Sequence, residues 1–461
     1  MTDDLVVPGL NTVEQAHLST LWSQLRRRAR RNLVRAAYYD GKHAPRFFAS
    51  SMAPQYQQLG VVLGWNAKAV DMLARRCNLD GFYWPDGDLD EVGLPQVESS
   101  NRLGAELKSA MVSSLIHGVA FLISTQGIPG EPQALLHVRD ALSTTATWNA
   151  RTRQLDAALS ITDWSEDRPL SLTLYLDGLT VIAERSSPSS AWSVDRSTHP
   201  WGVPVEPLVY RPRVGRELGT SRITRATMAL QDMAVRALLR MEGHMDVYAI
   251  PQMILLGADE SLFKNPDGSQ KASWQIALGR VFAIPDNLDE AGDSTLARAD
   301  VRQFAAQSPQ PHLAQLSALA KLFARETALP DSALAITDMA NPTSADAYVA
   351  ANEDLIAEAE GATDDWALPI TRAVARSLAV LNDGRPEDYA SLGVRWRSPM
   401  HLSRAAAADA GMKQLAAAPW LAETEVGLEL LGLSESQIQR ALAERARAQG
   451  RATLTQILAA G

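Results

Sequence analysis

The stretch that decides the fold is Pro204-Val-Glu-Pro-Leu-Val-Tyr-Arg-Pro-Arg213, which is followed shortly by Gly219-Thr-Ser-Arg-Ile-Thr224. The predicted secondary structure changes from strands to helix between these two segments. Before them, from about residue 119 to 210, short apolar runs such as Val119–Ser124 predict β-strands. After them, apolar residues recur every three or four positions and predict a helix from about Thr220 to Gly243; they are Ile223, Ala226, Leu230, Met233 and Ala237.

The strand region contains a predicted hairpin. The runs Leu172–Leu176 and Leu179–Ala183 flank Asp177-Gly178, and Asp-Gly readily supplies the positive φ of a type I′ turn. The following segment, Ser186 to Pro204, is rich in Ser, Pro and Trp and predicts a loop.

Helices are predicted on both sides of this region. Apolar spacing predicts them at about residues 18–36, 66–77, 101–117 and 312–327. Thr343-Ser-Ala-Asp346 resembles a capping box that opens a long helix, continuing past Leu381 with a kink near Pro369. Ser434-Glu-Ser-Gln437 is a second capping box near the C-terminus. The whole pattern predicts an α+β fold.

Composition excludes several classes of protein. The chain has 461 residues, of which 46% are apolar, so a disordered or fibrous protein is excluded. A single cysteine excludes a disulfide framework and zinc sites built from paired cysteines. The sequence contains neither an apolar run of ~18–20 residues nor a secretory signal pattern. It therefore predicts a soluble protein, made in a reducing compartment, that does not bind a membrane.

Charge is unevenly distributed along the chain. The net charge of −9 argues against nucleic acid at first sight. Residues 327–371, however, contain no Lys or Arg and hold nine acids, equal to the whole net charge: Asp331, Asp338, Asp346, Glu353, Asp354, Glu358, Glu360, Asp364 and Asp365. A basic run without acids lies near the N-terminus and consists of Arg26, Arg27, Arg28, Arg30, Arg31 and Arg35.

The sequence contains no recognised motif for phosphate binding, catalysis or metal binding. The chain lacks the glycine-rich phosphate loops and the His-Glu-x-x-His motif, and no two histidines are spaced for one helix face. Asp86-Gly-Asp-Leu-Asp90 fails as a calcium loop because Glu91 stands where the loop needs glycine. We predict that His117 is partly buried and hydrogen-bonded, and that Cys77 is a core residue on its helix. The sequence thus predicts no catalytic residue, no metal and no cofactor. A catalytic pair of carboxylates that are distant in the sequence but adjacent in the fold stays an open alternative.

Four separated segments together resemble the portal proteins of tailed double-stranded DNA phages, especially those of actinobacteriophages. They are Tyr38-Tyr-Asp-Gly-Lys-His43; Pro204–Arg213 with Gly219–Thr224, Leu230-Gln-Asp232 and Tyr248-Ala-Ile-Pro-Gln252; Leu329-Pro330 with Asn341-Pro-Thr-Ser-Ala-Asp-Ala347; and Trp396, Ser398-Pro399, Ala408-Asp-Ala410 and Lys413. One position departs from the family pattern, because Met253 stands where arginine often follows Pro-Gln.

The resemblance implies a ring, typically a dodecamer, at one capsid vertex, with double-stranded DNA passing through its axial channel. It implies these segments: wing 1–218, stem helix 219–245, clip 246–305, second stem helix 306–328, channel loop 329–343, long wing helix 344–383 and helical crown 384–461. The implied partners are further copies of the chain, DNA, the terminase large subunit, head-tail connector or adaptor proteins, and the major capsid and scaffolding proteins. The protein would be made in the host bacterial cytoplasm and end in the virion.

The resemblance also nominates residues. Candidates for the channel lining are Asp331, Thr337, Asp338 and Asn341, and the acids of the following helix are Asp346, Glu353, Asp354, Glu358 and Glu360. Candidates for contacts with a neighbouring subunit, DNA or capsid are the six N-terminal arginines with Arg222 and Arg225. The acids have a plainer interpretation as a solvated helix face. Two other classes stay open: a multidomain hydrolase using a carboxylate pair, and a head-associated adaptor that binds only protein.

Overall fold

The computed structural model describes residues 5–43, 60–249, 253–256, 265, 269, 300–303, 308–334, 345–400 and 404–460. Its α-helices are α1 Thr12–Tyr39, α2 Trp65–Ala74, α3 Leu94–Asn101, α4 Leu103–His117, α5 Arg225–Ala249, α6 Gln310–Glu326, α7 Ala345–Leu381, α8 Arg404–Ala417, α9 Glu425–Leu430 and α10 Glu435–Ala460. Its strands are β1 Asn78–Tyr83, β2 Val119–Gln126, β3 Ala134–Asp140, β4 Thr144–Asn149, β5 Gln154–Ser165, β6 Arg168–Leu176, β7 Leu179–Glu184, β8 Ser193–Thr198, β9 Val205–Val209, β10 Met253–Leu256, β11 Asp300–Gln303 and β12 Gly393–Arg397. The α+β class predicted from the sequence is confirmed.

The chain forms two compact units. The first comprises Met1–Leu33, Val70–Arg222 and Thr343–Gly461, and the second comprises Val34–Ala69 and Ile223–Pro342. The chain passes from the first unit to the second inside the Gly219–Thr224 segment, so the sequence change at this point coincides with a structural boundary.

A five-stranded antiparallel sheet in the order β4-β5-β6-β7-β8 lies in the first unit. Successive side chains of each strand point to opposite faces of the sheet. Leu159 and Ile161 of β5 therefore pack in one core with Leu18 and Leu25 of α1. Ala158, between them, belongs to a second core on the opposite face. This alternation gives the sheet two apolar faces and places the N-terminal helix over one of them.

A three-stranded sheet in the order β3-β2-β9 supplies the rest of that second core. Its central strand is buried from Val119 to Ser124, as expected for a continuous apolar run covered on both faces. Phe121 faces the core shared with the larger sheet, whereas the Ser124 hydroxyl donates a hydrogen bond of 2.9 Å to the Ala373 carbonyl of α7. The long helix α7 therefore lies directly on the small sheet.

The predicted hairpin is present, with Leu176 opposite Leu179, but its predicted turn type is wrong. Gly178 alone has a positive φ, of 66°, whereas a type I′ turn needs two such residues. The Gly178 N–H donates to Gly202 and its carbonyl accepts from His199, and these bonds fix the turn. The loop prediction for 186–204 is also wrong in part, because Ser193–Thr198 forms the edge strand β8. Its mostly exposed polar residues are typical of the edge strand of a sheet. They do not form the apolar run by which the other strands were predicted.

The second unit contains α5 and α6, and polar residues supply part of the buried surface of α5. Of the residues whose spacing predicted this helix, Ala226 is exposed and Met233 is 37% exposed, whereas Thr227 and Gln231 are each 1% exposed. Gln231 is buried with a polar partner, since the Asn66 backbone N–H and side-chain amide both donate to Gln231 Oε1, at 3.0 and 2.8 Å. The apolar spacing of the helix gave no sign of this buried amide pair.

Candidate channel segment and charged clusters

The stretch around Tyr210 and Gly219 brings two arginines to one place. After β9, the Tyr210 N–H donates to the Gly118 carbonyl and the Thr220 N–H donates to the Tyr210 carbonyl, both at 3.0 Å. Gly219 has a φ of +69°, and a Cβ there would lie 2.5 Å from the carbonyl oxygens of Gly118 and Tyr210. Only glycine permits this approach. The loop between the two residues therefore closes tightly and returns the chain to Tyr210.

Glu358 of α7 is the centre of the resulting cluster. It accepts hydrogen bonds from the Tyr210 hydroxyl and from Arg211 Nη2. Arg222 Nη1 donates to the Tyr210 oxygen at 3.0 Å and lies 3.8 Å from Glu358 Oε1. The side chains of Arg222 and Glu358 are only 3% and 14% exposed. We call these four residues, Tyr210, Arg211, Arg222 and Glu358, the Glu358 cluster.

The electrostatics of the Glu358 cluster favour fixed charges over proton transfer. Burial alone would raise the pKa of Glu358, but hydrogen bonds from Arg211 and Tyr210 and the charges of both arginines outweigh it, so this pKa lies below its ordinary value. Burial, together with Glu358, raises the pKa of Tyr210 to about 12. The carboxylate thus stays ionised and the phenol stays protonated near neutral pH, which suits a structural clasp rather than an acid–base pair.

The candidate channel residues are only partly within the described residues. Asp331 begins the short 3₁₀ turn Asp331–Ala333 and is exposed, between Leu329 and Leu334, which are 6% and 7% exposed. The two buried leucines anchor the turn on either side. Thr337, Asp338 and Asn341 lie outside the described residues, so their role as channel lining stays a prediction.

The acids of α7 differ in exposure. Glu353, Asp354 and Glu360 are exposed, and Asp346 lies in the first turn of the helix. Glu358 instead lies in its cluster, where its charge is neutralised. Asp365 is half-buried, and burial raises its pKa above the ordinary range. The acidic stretch is therefore not a uniform negative surface.

The nominated arginines divide in the same way. Arg26, Arg27, Arg30 and Arg31 are exposed on α1, and Arg225 is exposed at the start of α5. Arg28 and Arg35 are half-buried, and burial with the neighbouring charges of Arg31 and Arg27 lowers the pKa of Arg28. Arg222 is instead 4% exposed and contacts Tyr210 and Glu358 of its own chain. Its role at a neighbouring subunit stays a prediction.

Two charge contacts of α7 were missed by the sequence analysis. Arg376 Nη2 donates to Glu206 Oε1 of β9 at 2.6 Å, with both side chains about one-tenth exposed. Arg76 Nη2 donates to Asn352 Oδ1 at 2.9 Å. A signal was present, since Glu206 stands within the apolar run Val205–Val209 and Arg376 within an equally apolar helix segment. A charge inside an apolar segment predicts a buried partner.

The Tyr38–His43 segment, quoted above for the family resemblance, ends α1 and contacts α5. Gly41 has a φ of 67°, and the Lys42 N–H donates to the Ala37 carbonyl at 2.9 Å, as in a Schellman motif. The Tyr38 hydroxyl donates to both carboxylate oxygens of Asp232, at 2.9 and 3.0 Å. His43 stacks on Tyr38 with ring centroids 4.1 Å apart. The segment thus fastens the end of α1 to the first half of α5.

Two single-residue predictions have clear outcomes. Cys77 is 1% exposed, as predicted, but it lies beyond the end of α2, and its thiol donates to the Ala359 carbonyl at 3.8 Å. Burial raises its pKa to about 12, so the thiol is not an activated nucleophile. His117 is 8% exposed, in agreement with the predicted partial burial. In the part of the chain that the structure describes, no helix is long and apolar enough to cross a membrane.

The described residues thus form an α+β fold in which Glu358 is paired inside and other acids of α7 and arginines of α1 are exposed. The family model described as "Phage portal protein, SPP1 Gp6-like" matches residues 18–451. The chain belongs to this family of phage portal proteins.

The chain is also similar to two curated relatives and to two solved structures. The portal proteins of Mycobacterium phages L5 and D29 are each 26% identical, over 387 and 389 residues, which cover 82% of this chain and 77% of each relative. The neck of a native GTA particle computed with C12 symmetry aligns over 86% of this chain and 98% of that one, with 15% identity and a TM-score of 0.43. The neck of an empty GTA particle computed with C6 symmetry aligns over 80% of this chain and 90% of that one, with 15% identity and a TM-score of 0.45.

Proposed function

We propose that this chain forms the ring-shaped channel at one capsid vertex through which double-stranded DNA is packaged and later ejected. The ring, typically a dodecamer, would dock the terminase large subunit during packaging and head-tail connector proteins afterwards. The observation that carries the proposal is the family match over residues 18–451, which spans both compact units. The terminase would supply ATP hydrolysis, in agreement with the missing nucleotide motif in this sequence.

The exposed acids support a channel that conducts DNA without holding it. A ring would repeat Asp331 as a circle of negative charge, and Asp338 would form a second circle. Lysine or arginine at these positions would release counterions from the duplex and retain it, whereas carboxylates repel its phosphates. Salt limits this repulsion to about 8–10 Å, so only acids close to the duplex contribute. The paired carboxylate of Glu358 would contribute little.

The arginines of α1 have a different proposed partner. Arg26, Arg27, Arg30 and Arg31 expose four guanidinium groups, and the helix contains no acid after Glu14. We propose that they bind acids of a neighbouring subunit, with DNA or capsid shell protein outside the ring as the alternative partner. A closed ring needs a head-to-tail interface, in which one surface of each subunit meets a different surface of the next. Arg225 is a further candidate for this interface.

The segment boundaries implied by the resemblance are kept as part of this proposal. The wing would comprise residues 1–218 and 344–383, the stem helices 219–245 and 306–328, and the crown 384–461. The clip, 246–305, would dock the terminase. Within that segment the structure describes residues 246–249 at the end of α5, the single residues 265 and 269, and the strands β10 and β11. These two strands pair antiparallel, with Met253 opposite Gln303.

Packaging tests the channel directly. We expect Asp331→Lys and Asp338→Lys each to impair DNA packaging or retention in a phage complementation assay while rings of normal size still form. Asp163→Lys is the matched control, because it makes the same change of charge on an exposed residue of β5, outside the acidic stretch. Normal packaging by both channel variants would overturn the proposed role of these acids.

A further inference from the structure

Two histidines that are distant in the sequence meet where α5 and α6 pack together. His244 lies in the last two turns of α5, and His312 lies in the first turn of α6. Their ring nitrogens, Nδ1 of His244 and Nε2 of His312, are 3.3 Å apart. Both residues are half-buried and belong to the second unit. Spacing along one helix could not reveal this pair, because 68 residues separate its members.

The distance between the nitrogens fits two ligands of one metal ion. Nitrogens that each lie roughly 2.0–2.1 Å from a tetrahedral zinc ion are about 3.3–3.4 Å apart. The corresponding imidazole ring centroids, each farther from the metal, lie about 5.2 Å apart. The observed centroid separation is 5.1 Å, with ring planes at 80°.

A straight hydrogen bond between the rings fits the centroids less well. With the same nitrogen separation and a straight N–H···N arrangement, the centroids would lie about 5.6 Å apart. The observed 5.1 Å shows that at least one ring is tilted away from the line through the two nitrogens, as two ligands of one metal ion would be. A metal ion bound by both rings would accept one lone pair from each imidazole.

We propose that His244 and His312 form a binding site for a divalent transition metal that prefers imidazole, such as Zn²⁺ or Ni²⁺. The described residues contain no group of three or more His, Cys, Asp or Glu side chains that could hold a metal. The site therefore supplies two protein ligands, and water or an exchangeable ligand completes the coordination. Mg²⁺ and Ca²⁺ prefer oxygen ligands and do not bind there.

Bound metal would join the two helices at one end of their contact. The chain leaves α5 after Ala249 and enters α6 at Gln310, so the site lies at the base of the segment between them. A metal that binds only the folded state stabilises it, by an amount that grows with the logarithm of the free metal concentration once that concentration exceeds the Kd. The site would thus hold the two ends of that segment together, whatever the segment contacts.

The test uses the full chain without a histidine tag. Titration of the wild type with NiCl₂ or ZnCl₂ in a calorimeter is expected to show saturable binding of one ion per chain, and bound metal is expected to raise the Tm. His244→Ala and His312→Ala are each expected to reduce binding at least tenfold and to remove the metal-dependent rise in Tm. MgCl₂ is expected to have no effect on any of them.

His17→Ala is the matched control, because it removes a histidine of α1 in a different part of the chain. Far-UV circular dichroism checks that every variant is folded, and His312→Asn replaces His312→Ala if the latter unfolds. Loss of metal binding in His244→Ala and His312→Ala, with binding retained by His17→Ala, supports the proposal. Absence of saturable binding in the wild type, or equal binding by all three variants, overturns it.

Discussion

Glu358 and Glu360 lie two residues apart on α7, yet they meet opposite surroundings. Glu360 is exposed, whereas Glu358 is the centre of a cluster with Tyr210, Arg211 and the buried Arg222. The difference comes from the helical period, because residues two positions apart point to different faces. The charge of Glu358 is therefore used inside the protein, whereas the charge of Glu360 is available to partners.

Removing the carboxylate of Glu358 is expected to have the largest effect on stability. Glu358→Ala would leave Arg222 buried without its carboxylate, and we expect it to reduce the free energy of unfolding by about 4 kcal/mol. Glu360→Ala, the matched control on the same helix, is expected to change it by less than about 0.5 kcal/mol. Urea unfolding followed by circular dichroism measures both. Equal effects of the two substitutions would contradict the contrast between Glu358 and Glu360.

The backbone that delivers the arginines provides the second test. In Gly219→Ala the new Cβ would meet the carbonyls of Gly118 and Tyr210 and would force an alanine to a φ of +69°. We expect a loss of about 3 kcal/mol, because strain of this kind costs about 1–3 kcal/mol before any clash. Gly104→Ala is the control, since a Cβ at that position of α4 meets nothing within 4 Å. A Gly219→Ala protein as stable as the Gly104→Ala protein would show that the loop does not need this close approach.

The pH dependence of stability gives a smaller effect. The pKa of Glu358 is lowered in the folded protein, so its contribution is fully present above the ordinary value of 4.5 and is lost as the pH falls through the folded value. The difference in unfolding free energy between wild type and Glu358→Gln should therefore shrink as the pH falls below 4.5. The difference for Glu360→Gln should stay near zero across the same range. A Glu358 difference that stays constant would show that its charge is not what the cluster uses.

Sequence reasoning worked where the pattern is local. The apolar run at Val119–Ser124 and the Asp177-Gly178 hairpin were both predicted, because period and turn chemistry depend on neighbouring residues. The long helix from the acidic stretch was predicted for the same reason. These elements decide the α+β class before any tertiary contact is known.

Tertiary pairing was what the sequence could not show. The burial of Arg222 was not foreseen, because its partner Glu358 lies 136 positions later in the sequence. The apolar spacing of α5 did not reveal that Gln231 is buried, because its partner is the amide of the distant Asn66. His244 and His312 are likewise related only by the packing of two helices. Each miss concerns polar residues whose burial depends on a distant partner.

Native mass spectrometry of the purified full-length chain tests the central claim, that this portal-family protein assembles as a closed ring. The proposal predicts one dominant species with the mass of a ring, typically a dodecamer, or of a closed ring of neighbouring subunit number. Negative-stain microscopy of the same sample should show rings with a central hole. A chain that stays monomeric or dimeric under all conditions of salt and concentration would contradict the account.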